Sequence, residues 1–339
     1  MKKESITDGI DFRHVSQLNR IQIASVNICY SQFNPADKYF INCGSLSNTS
    51  IGNRVFISDN LASSFLSTPQ NVLVDTSADS APSSEYSELD FKSDGAQLKE
   101  YSVNVTSGDL EITFTPSGSS FAFLNALEVV SVPDSLITDD ATSVTPPTNF
   151  NGLLNKALET VARVNMGGPT IRPSNDSLWR FWATDRSFSI TPNLESNASK
   201  LTAVKYLSGG ATLDNAPVSH LIRLHFCDIV STSANTLYFN VYIGDSNVLP
   251  DLHLPLATAY YADFVTQSLN NSQIRISIGP STIEDVYPDA ILNGVEIMKI
   301  SSSNGSLSGG NIANTPNSKS GSKKSSRGTF SRCRFVMCL

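Results

Sequence analysis

The sequence predicts an all-β protein made of two tandem sandwich-like modules. Apolar residues alternate with polar ones at the period of β-strands, and four short motifs occur twice in the same order. Charged residues make up 16% of the 339 residues and hydrophobic residues 40%. The polar surface therefore comes largely from Ser, Thr and Asn, which suit strands and turns better than long exposed helices.

The repeat identifies the two ends of each copy. The matched segments, first copy against second, are 42–44 with 165–167, 54–59 with 180–185, 110–116 with 274–280, and 124–130 with 292–298. The offset is 165 − 42 = 123 at the first match and 292 − 124 = 168 at the last. The second copy thus contains roughly forty residues without a counterpart, chiefly the two strands between about His220 and Gly244. Losing them should open a sheet edge in the first copy.

Strand patterns run through both copies. The predicted strands are Tyr101–Thr106, Leu110–Thr115, Leu221–Phe226, Leu237–Ile243, Tyr261–Thr266 and Gln273–Ile278, followed in each copy by a Leu-Asn-x-x-Glu strand. Turn residues at 107–109 and 269–272 predict that the first two and the last two of these six form hairpins. Apolar residues at helical spacing over Phe150–Val164 predict a linker turn or short helix, after the boundary signal Thr145-Pro146-Pro147.

Charge and composition restrict the partners and the compartment. The net charge is −7, and no basic stripe outside the C-terminal tail favours a nucleic-acid partner. The tail combines a Ser-, Gly- and Asn-rich stretch, 301–328, with lysines and arginines, which predicts disorder. No apolar stretch is long enough to span a membrane, and the polar N-terminus does not form a signal peptide. By itself this predicts a soluble, cytoplasmic chain.

Other features leave the compartment open. Six Asn-x-Ser/Thr sequons are candidate glycosylation sites, although most such matches in an Asn-rich chain arise by chance: Asn48, Asn104, Asn175, Asn197, Asn270 and Asn304. The five cysteines are irregularly spaced and predict neither a disulfide framework nor a metal site.

The polar candidates for chemistry all have a structural interpretation. His225 and Cys227 share one face of a strand and could ligate a metal, but no second Cys/His pair lies nearby, and a partly covered strand histidine is favoured. The acidic residues Glu284, Asp285 and Asp289 read as a solvated loop rather than a glycosidase pair. No cofactor and no metal is predicted.

The closing strands offer a further set of candidates. Asn125, Glu128, Asn293 and Glu296 recur in both copies, and such residues usually satisfy neighbouring backbone groups. Catalysis by Glu128 or Glu296 is the alternative.

Aromatic residues are the candidates for binding. They could stack on sugar rings or anchor a protein partner, although core packing explains most aromatic residues on strands. The ligand-binding candidates are Trp179, Trp182, Tyr260, Tyr261 and Tyr287.

In this order the motifs resemble a known family. They include Asn42-Cys-Gly-Ser, Arg163-Val-Asn-Met-Gly-Gly-Pro, Asn175-Asp-Ser-Leu-Trp-Arg-Phe-Trp, His220-Leu-Ile-Arg-Leu-His-Phe-Cys-Asp and Leu292-Asn-Gly-Val-Glu-Ile. Together they are similar to the tandem malectin-like ectodomain of FERONIA/THESEUS-type plant receptor-like kinases, over about residues 36 to 310. The fold this implies is two jelly-roll-like β-sandwich modules.

The resemblance also implies a function. The ectodomain would face the cell wall at the plasma membrane, carry N-glycans on the sequons, and bind cell-wall polysaccharide and secreted peptides, the latter with a GPI-anchored co-receptor. A complete receptor would continue through a transmembrane helix to a Ser/Thr kinase, and no kinase is recognised in this sequence.

The chain departs from the family pattern in ways that set the expected domains. Residues 1–35 form an atypical leader expected to be disordered; 36–135 form module A, which lacks its central strands near 94–98. Residues 136–158 form the linker, and 159–302 form module B, which lacks a shorter segment near 218–219. The tail, 303–339, is expected to be disordered. We expect a ligand-binding fragment without catalysis; the alternatives are a carbohydrate-active enzyme and a non-functional truncated product of poor solubility.

Overall fold

The computed structural model describes residues 10–11, 33–64, 66, 98–105, 110–114, 124–185, 202–207, 219–229, 231–234, 236–267, 273–283, 286, 289–307 and 332–338. The strands are β1 (Ile10–Asp11), β2 (Lys38–Asn42), β3 (Thr49–Ile51), β4 (Arg54–Ser58), β5 (Leu98–Asn104), β6 (Ala126–Ser131), β7 (Asp140–Ser143), β8 (Thr148–Asn151), β9 (Leu158–Asn165), β10 (Ala183–Thr184), β11 (Thr202–Leu207), β12 (Ser219–Cys227), β13 (Tyr238–Ile243), β14 (Ser246–His253), β15 (Ala259–Gln267), β16 (Gln273–Pro280), β17 (Gly294–Ile300) and β18 (Arg332–Cys338). The helical pieces are α1 (Asp59–Ala62) and short 3-10 turns at Asp134–Leu136, Leu153–Asn155 and Pro173–Asn175.

These strands form two sheets. The smaller has the order β1-β11-β16-β13-β14, and the larger has the order β3-β4-β2-β6-β18-β5-β9-β17-β12-β15-β7-β8, with β10 beside β9. Alternate residues of the two sheets, among them Phe239 and Ile276 on one and Leu224 and Ile297 on the other, pack into the largest apolar core. The second copy is therefore a β-sandwich, which confirms the predicted all-β class.

The two copies repeat one arrangement of strands. In module A the order is β4, β2, β6, β18, β5, and in module B it is β10, β9, β17, β12, β15. In both copies the first pair is parallel and the following pairs are antiparallel. The position of β12 in module B is occupied in module A by β18, which comes from the far C-terminal end of the sequence.

The tail prediction is wrong for this segment, because residues 332–338 form a strand instead of being disordered. The Ser- and Gly-rich composition stops before it, and the segment carries Phe335, Val336 and Met337, which suit a strand. Phe335 and Met337 pack with Ile41 and Leu127 of the first copy.

The predicted hairpins are also wrong, although most of their strands form. Residues 110–114 have no regular structure, because β5 already pairs along its whole length with β18 on one side. In the second copy β15 and β16 are both strands, but β15 pairs with β12 in the larger sheet and β16 with β13 in the smaller one. The two strands therefore lie in different sheets and form no hairpin.

The predicted linker turn or short helix is present as the 3-10 turn Leu153–Asn155, but β8 and β9 take up much of the predicted segment Phe150–Val164. β8 ends at Asn151, one 3-10 turn covers Leu153–Asn155, and β9 begins at Leu158. The apolar spacing that resembled a helix arises because β9 is buried on both faces, with Ala162 and Val164 in the main core and Leu158 in a second cluster.

The copies agree at the level of single hydrogen bonds. The Cys43 amide donates to the Asn125 carbonyl at 2.9 Å, and the Met166 amide donates to the Asn293 carbonyl at 3.0 Å. The Asp59 carboxylate accepts from the Gly44 amide, and Asp185 accepts from Gly167, both at 2.8 Å. The repeated Asp59 and Asp185 therefore hold matching backbone turns, and the Asn293 side chain accepts from the Cys227 amide at 2.6 Å.

One matched position differs between the copies for a steric reason. Gly294 opens β17, and a Cβ added there would lie 3.2 Å from the Trp182 ring. The matched residue in the first copy is Ala126, which packs on the smaller ring of Phe56. The copy with the larger Trp182 ring therefore has the smaller Gly294 beside it, and the copy with the smaller Phe56 ring has Ala126.

We expect Gly294→Ala to destabilise the protein by about 1–3 kcal/mol, because the added methyl group overpacks a closed site. In the Trp182→Phe background the same change should cost less by about 1 kcal/mol or more. Urea unfolding of the four proteins measures this coupling. Ala126→Gly is the matched control and should cost only about 0.5–1 kcal/mol; additive effects in the double variant would contradict the steric account.

Candidate functional site

A layer of buried charges is built around Glu296 of β17. Its carboxylate accepts from Arg163 Nε of β9 at 2.7 Å, contacts His225 Nε2 of β12 at 2.9 Å, and lies 3.9 Å from Arg180 Nη1. Burial by itself would raise the pKa of Glu296, but these neighbours, Arg163 foremost, hold it well below its usual range. Glu296 is thus a buried, ionised carboxylate, whereas a general acid requires a raised pKa.

Glu100 of β5 connects the two copies in this layer. Its carboxylate accepts from Arg163 at 2.6 and 3.0 Å and from Arg334 Nη2 of β18 at 3.3 Å. Burial opposes its ionisation, but the two arginines lower the pKa of Glu100 below its usual range. Arg163 therefore joins a first-copy carboxylate to the second-copy Glu296.

Glu128, the first-copy match of Glu296, has a weaker set of partners. Arg54 pairs with it, as the motif match of Arg54 with Arg180 would suggest. Burial nevertheless raises the pKa of Glu128, and the nearby Glu100 adds to the rise. The two repeated glutamates thus serve one structural role with different degrees of charge compensation.

Two of the aromatic candidates belong to this framework. Trp182 is fully buried, and its Nε1 donates to Asp176 at 3.1 Å, with the guanidinium carbons of Arg180 and Arg163 5.2 and 5.6 Å from its ring. Trp179 donates to the Asn53 side chain at 3.0 Å and packs edge-on against Phe40 at 5.3 Å. Trp182 presents no face to a ligand, and Trp179 joins the second copy to the first.

Tyr260 and Tyr261, the other two aromatic candidates in the described residues, line a cleft of about 270 Å³ at the edge of the larger sheet. There β15 pairs with β7, among the described residues, at Phe264 and Val265. The preceding part of β15, from Tyr260 to Asp263, lines the cleft together with residues of the β7–β8 hairpin and Leu249 of β14. Because an unpaired strand edge presents backbone donors and acceptors, the cleft combines polar backbone with apolar side chains.

The two tyrosines have different roles in the cleft, since neighbours on a strand point to opposite faces. Tyr260 is 39% exposed, and one face of its ring stacks on Phe226 at 6.1 Å. Tyr261 donates its hydroxyl to the Ser135 carbonyl at 3.3 Å and lies beneath the Arg223 guanidinium at 4.3 Å. Tyr260 is therefore the ring available to a ligand, and Tyr261 is anchored.

The charge of the cleft is weakly negative. Asp263 receives two hydrogen bonds from Arg223, at 2.6 and 2.7 Å, which neutralise its charge. Asp140, at the start of β7, is exposed and adds a carboxylate to the lining. Thr138, Thr142 and Asn149 supply uncharged hydrogen-bonding groups.

The remaining sequence candidates fall at separate places. Of the sequons, Asn48, Asn175 and Asn304 are exposed, whereas Asn104 is half-buried opposite Arg332. Tyr287, Asn197, Asn270, Glu284 and Asp285 lie outside the described residues. Asp289 lies apart from the cleft lining.

Within the described ranges, no cluster of three or more His, Cys, Asp or Glu is arranged to hold a metal ion. No helix there is long and apolar enough to cross a membrane.

Several residues of these sites were missed by sequence reasoning. Arg163, Arg180 and Arg223 organise the charge layer, and the arginine shared by the 54–59 and 180–185 motifs was a usable signal beside the repeated glutamates. Asp140 and Asn149 of the cleft gave no signal, because the linker hairpin that carries them was not predicted.

Comparison with known proteins agrees with this architecture. A family model described as the Malectin-like domain matches residues 83–300. A probable receptor-like protein kinase of Arabidopsis thaliana is 39% identical over 83% of this chain and 44% of its own length. Receptor-like protein kinase HERK 1 from the same plant is 36% identical over 87% of this chain and 46% of its own length. The chain thus spans less than half the length of these relatives.

Two solved structures are similar to this chain at low sequence identity. The ANX1 ectodomain of Arabidopsis thaliana matches with a TM-score of 0.50 and 15% identity, over 79% of this chain and 97% of that one. A chain in the crystal structure of the plant peptide RALF23 in complex with FER and LLG2 matches with a TM-score of 0.49 and 20% identity, over 83% of this chain and 99% of that one.

Fold and sequence together define a class, the all-β proteins related in sequence to plant receptor-like kinases. Within it, the chain belongs to the malectin-like family, and its relatives are receptor-like kinases of the FERONIA/THESEUS/HERK type.

Proposed function

We propose that this chain is a ligand-binding region of a plant malectin-like receptor kinase and acts on the extracellular side of the plasma membrane. Its ligands would be cell-wall carbohydrate and secreted peptides, the latter bound together with a GPI-anchored co-receptor. The exposed sequons Asn48, Asn175 and Asn304 would carry glycans. The resemblance to receptor ectodomains supports this assignment, and the kinase reaction belongs to the complete receptors.

The observation that carries the carbohydrate proposal is the cleft at Tyr260. An exposed aromatic ring beside hydroxyl, amide and backbone groups is the combination that binds a sugar, because the ring covers its apolar face and polar groups take its hydroxyls. A cleft of about 270 Å³ suits one sugar ring of a chain that continues into solvent.

The cleft charge favours neutral sugars over acidic ones. Asp140 is exposed and would repel a uronic acid carboxylate, while Arg223 is already engaged by Asp263 and does not serve as an anion site. We therefore propose neutral cell-wall oligosaccharides, such as glucan or xylan fragments, as the class of carbohydrate bound.

Tyr260→Ala should weaken binding of a neutral oligosaccharide by about tenfold or more, because it removes the stacking surface. Isothermal titration calorimetry of the full chain with xylan and glucan hexasaccharides measures this. Tyr39→Ala is the matched control, since Tyr39 is 40% exposed and Tyr260 39%, and it should leave binding unchanged. Asp140→Asn should improve binding of an oligogalacturonide; preferential binding of that acidic sugar by the unaltered chain, insensitive to Tyr260→Ala, would overturn the proposal.

A further inference from the structure

The C-terminal strand β18 completes the sheet of module A from a distant part of the chain. It pairs with β5 from Arg332 to Cys338 and with β6 from Cys333 to Cys338. We call the space between the edges of β5 and β6 the slot. In module B the matching position is filled by β12, which is part of the second copy itself.

β18 pairs with β6 and β5 in the same register in which β12 pairs with β17 and β15. Val336 lies opposite Glu128 and Glu100, as Arg223 of β12 lies opposite Glu296 and Asp263. By the same register Arg332 takes the place of Ser219, and Arg334 takes that of Leu221. The slot is therefore a built strand position with defined side-chain sites.

Arg334 is the side chain that fits the slot best. It is buried, and its guanidinium donates to the carbonyls of Leu178 at 2.9 Å and Trp179 at 3.1 Å. Its Nη2 donates to the Glu100 carboxylate at 3.3 Å, and its Nε lies 3.2 Å from the same carboxylate but makes no hydrogen bond among the described residues. A buried carboxylate and two carbonyls directed at one point select an arginine at the third of the seven strand positions.

Arg332 fits the slot poorly. It is 1% exposed, its Nε donates to Ser102 Oγ at 3.0 Å and its Nη2 to the Lys156 carbonyl at 3.4 Å, but its Nη1 has no hydrogen-bond partner among the described residues. Burial and the nearby Arg223 lower the pKa of Arg332 to about 10. Because a buried, incompletely paired cation is costly, β18 is a suboptimal occupant of its own slot.

The connection to β18 is long enough to permit exchange. Between Leu307 and Arg332 there are 332 − 307 − 1 = 24 residues, which span at most about 85 Å when extended. A tethered strand competes with a free peptide at an effective concentration that its tether sets, on the order of millimolar for a short flexible linker. A free peptide that fits better than β18 can therefore compete at lower concentrations.

We propose that the slot is a peptide-binding site. It accepts an extended heptapeptide from another molecule by pairing with β5 and β6, it requires arginine at the third position, and β18 is its exchangeable occupant. Binding of this kind is strand addition, in which the backbone supplies affinity and side-chain sites supply specificity. This site is independent of the cleft at Tyr260.

The test uses the full chain carrying Val336→Pro, because proline cannot occupy a central strand and should release β18 from the slot. We expect a lower melting temperature than that of the unaltered chain. The peptide of residues 331–339, labelled with fluorescein and kept reduced, should bind this variant, as measured by fluorescence anisotropy, and should raise its melting temperature.

Peptide variants test the side-chain sites. A peptide with Arg332→Ser should bind about tenfold more tightly than the unaltered one, and it should displace β18 from the unaltered chain. A peptide with Arg334→Ala should bind at least tenfold more weakly. If the Val336→Pro chain fails to fold, refolding on addition of the unaltered peptide, but not of the Arg334→Ala peptide, is the expected result.

Two results would overturn the proposal. One is a Val336→Pro chain that melts like the unaltered chain, and the other is a destabilised variant that no peptide binds or rescues. Sedimentation velocity identifies the occupant: a one-to-one complex with peptide is expected. A dimer of the unaltered chain that the peptide dissociates would instead make the strand of a second copy the occupant and refute the assignment to a separate peptide.

Discussion

Glu296→Gln should destabilise the protein by about 3–5 kcal/mol, the range typical of removing one partner from a buried ion pair. Glutamine keeps the shape of the side chain and one hydrogen-bonding oxygen but removes the negative charge. Three buried groups surround that charge, namely Arg163, Arg180 and His225. The variant removes the carboxylate that Arg163 and Arg180 share, although Arg163 keeps Glu100 and Arg180 keeps Asp176 as partners, so the loss arises from charge and not from volume.

Thermal unfolding followed by circular dichroism measures this effect as a drop in melting temperature on the order of 10 °C. The matched control is Asp245→Asn, which also removes one carboxylate charge from an arginine pair. Asp245 is 95% exposed beside Arg275, and exposed pairs contribute little. If the Glu296→Gln protein had the same melting temperature as the Asp245→Asn control, the stability of the buried layer would not depend on this charge.

The glutamate of this experiment was identifiable from the sequence, because it recurs at the same place in a repeated motif. Its strand, the strands of the sandwich core and the family were predicted from alternation and repeat order. The burial of Arg163 and Arg180 was not predicted, because a single sequence does not show that charged side chains from separate strands meet in one buried layer. Pairwise charge matching between repeated motifs, Arg54 with Glu128 and Arg180 with Glu296, is the clue that could have been used.

The positions of β16 and β18 in the sheets could not be predicted from the sequence, for a different reason. A turn between two strands predicts a hairpin when both lie in one sheet, but β15 and β16 lie in opposite sheets. β18 reaches the slot from more than 200 residues beyond β5 in the chain, and no local pattern encodes such pairing. The sequence also could not show which aromatic candidate is available to a ligand. Tyr260 is exposed and Trp182 is buried, and exposure depends on tertiary packing.

Stability should fall in two stages as the pH is lowered from 7 to 3. His225 is buried, and burial together with Arg223 and Arg180 lowers its pKa despite the bond to Glu296. The unfolded chain therefore binds a proton at this residue below about pH 6.5 that the folded chain does not bind. Each such proton reduces the free energy of unfolding by up to about 1.4 kcal/mol per pH unit.

The second stage comes from the carboxylates of the charge layer. The pKa values of Glu296, Glu100 and Asp176 are lowered in the folded protein, because their arginine partners outweigh burial. A lowered carboxyl pKa stabilises the protein fully above the unfolded value of about 4. That stabilisation is lost as the pH falls below it, so the steepest loss is expected between about pH 4.5 and 3.

His225→Gln separates the two stages, since an amide can still donate to Glu296 but does not titrate. Urea unfolding at half-unit steps of pH should show a shallower slope between pH 6.5 and 5 in this variant, with the steep loss below pH 4.5 retained. His253→Gln, at an exposed histidine that stacks on Tyr238, is the control and should leave both slopes unchanged. His220 is buried on the same strand, so the difference between variant and unaltered chain, rather than the slope itself, reports on His225. Equal slopes in the two proteins would show that His225 binds its proton equally in the folded and unfolded chains, and would place the upper stage elsewhere.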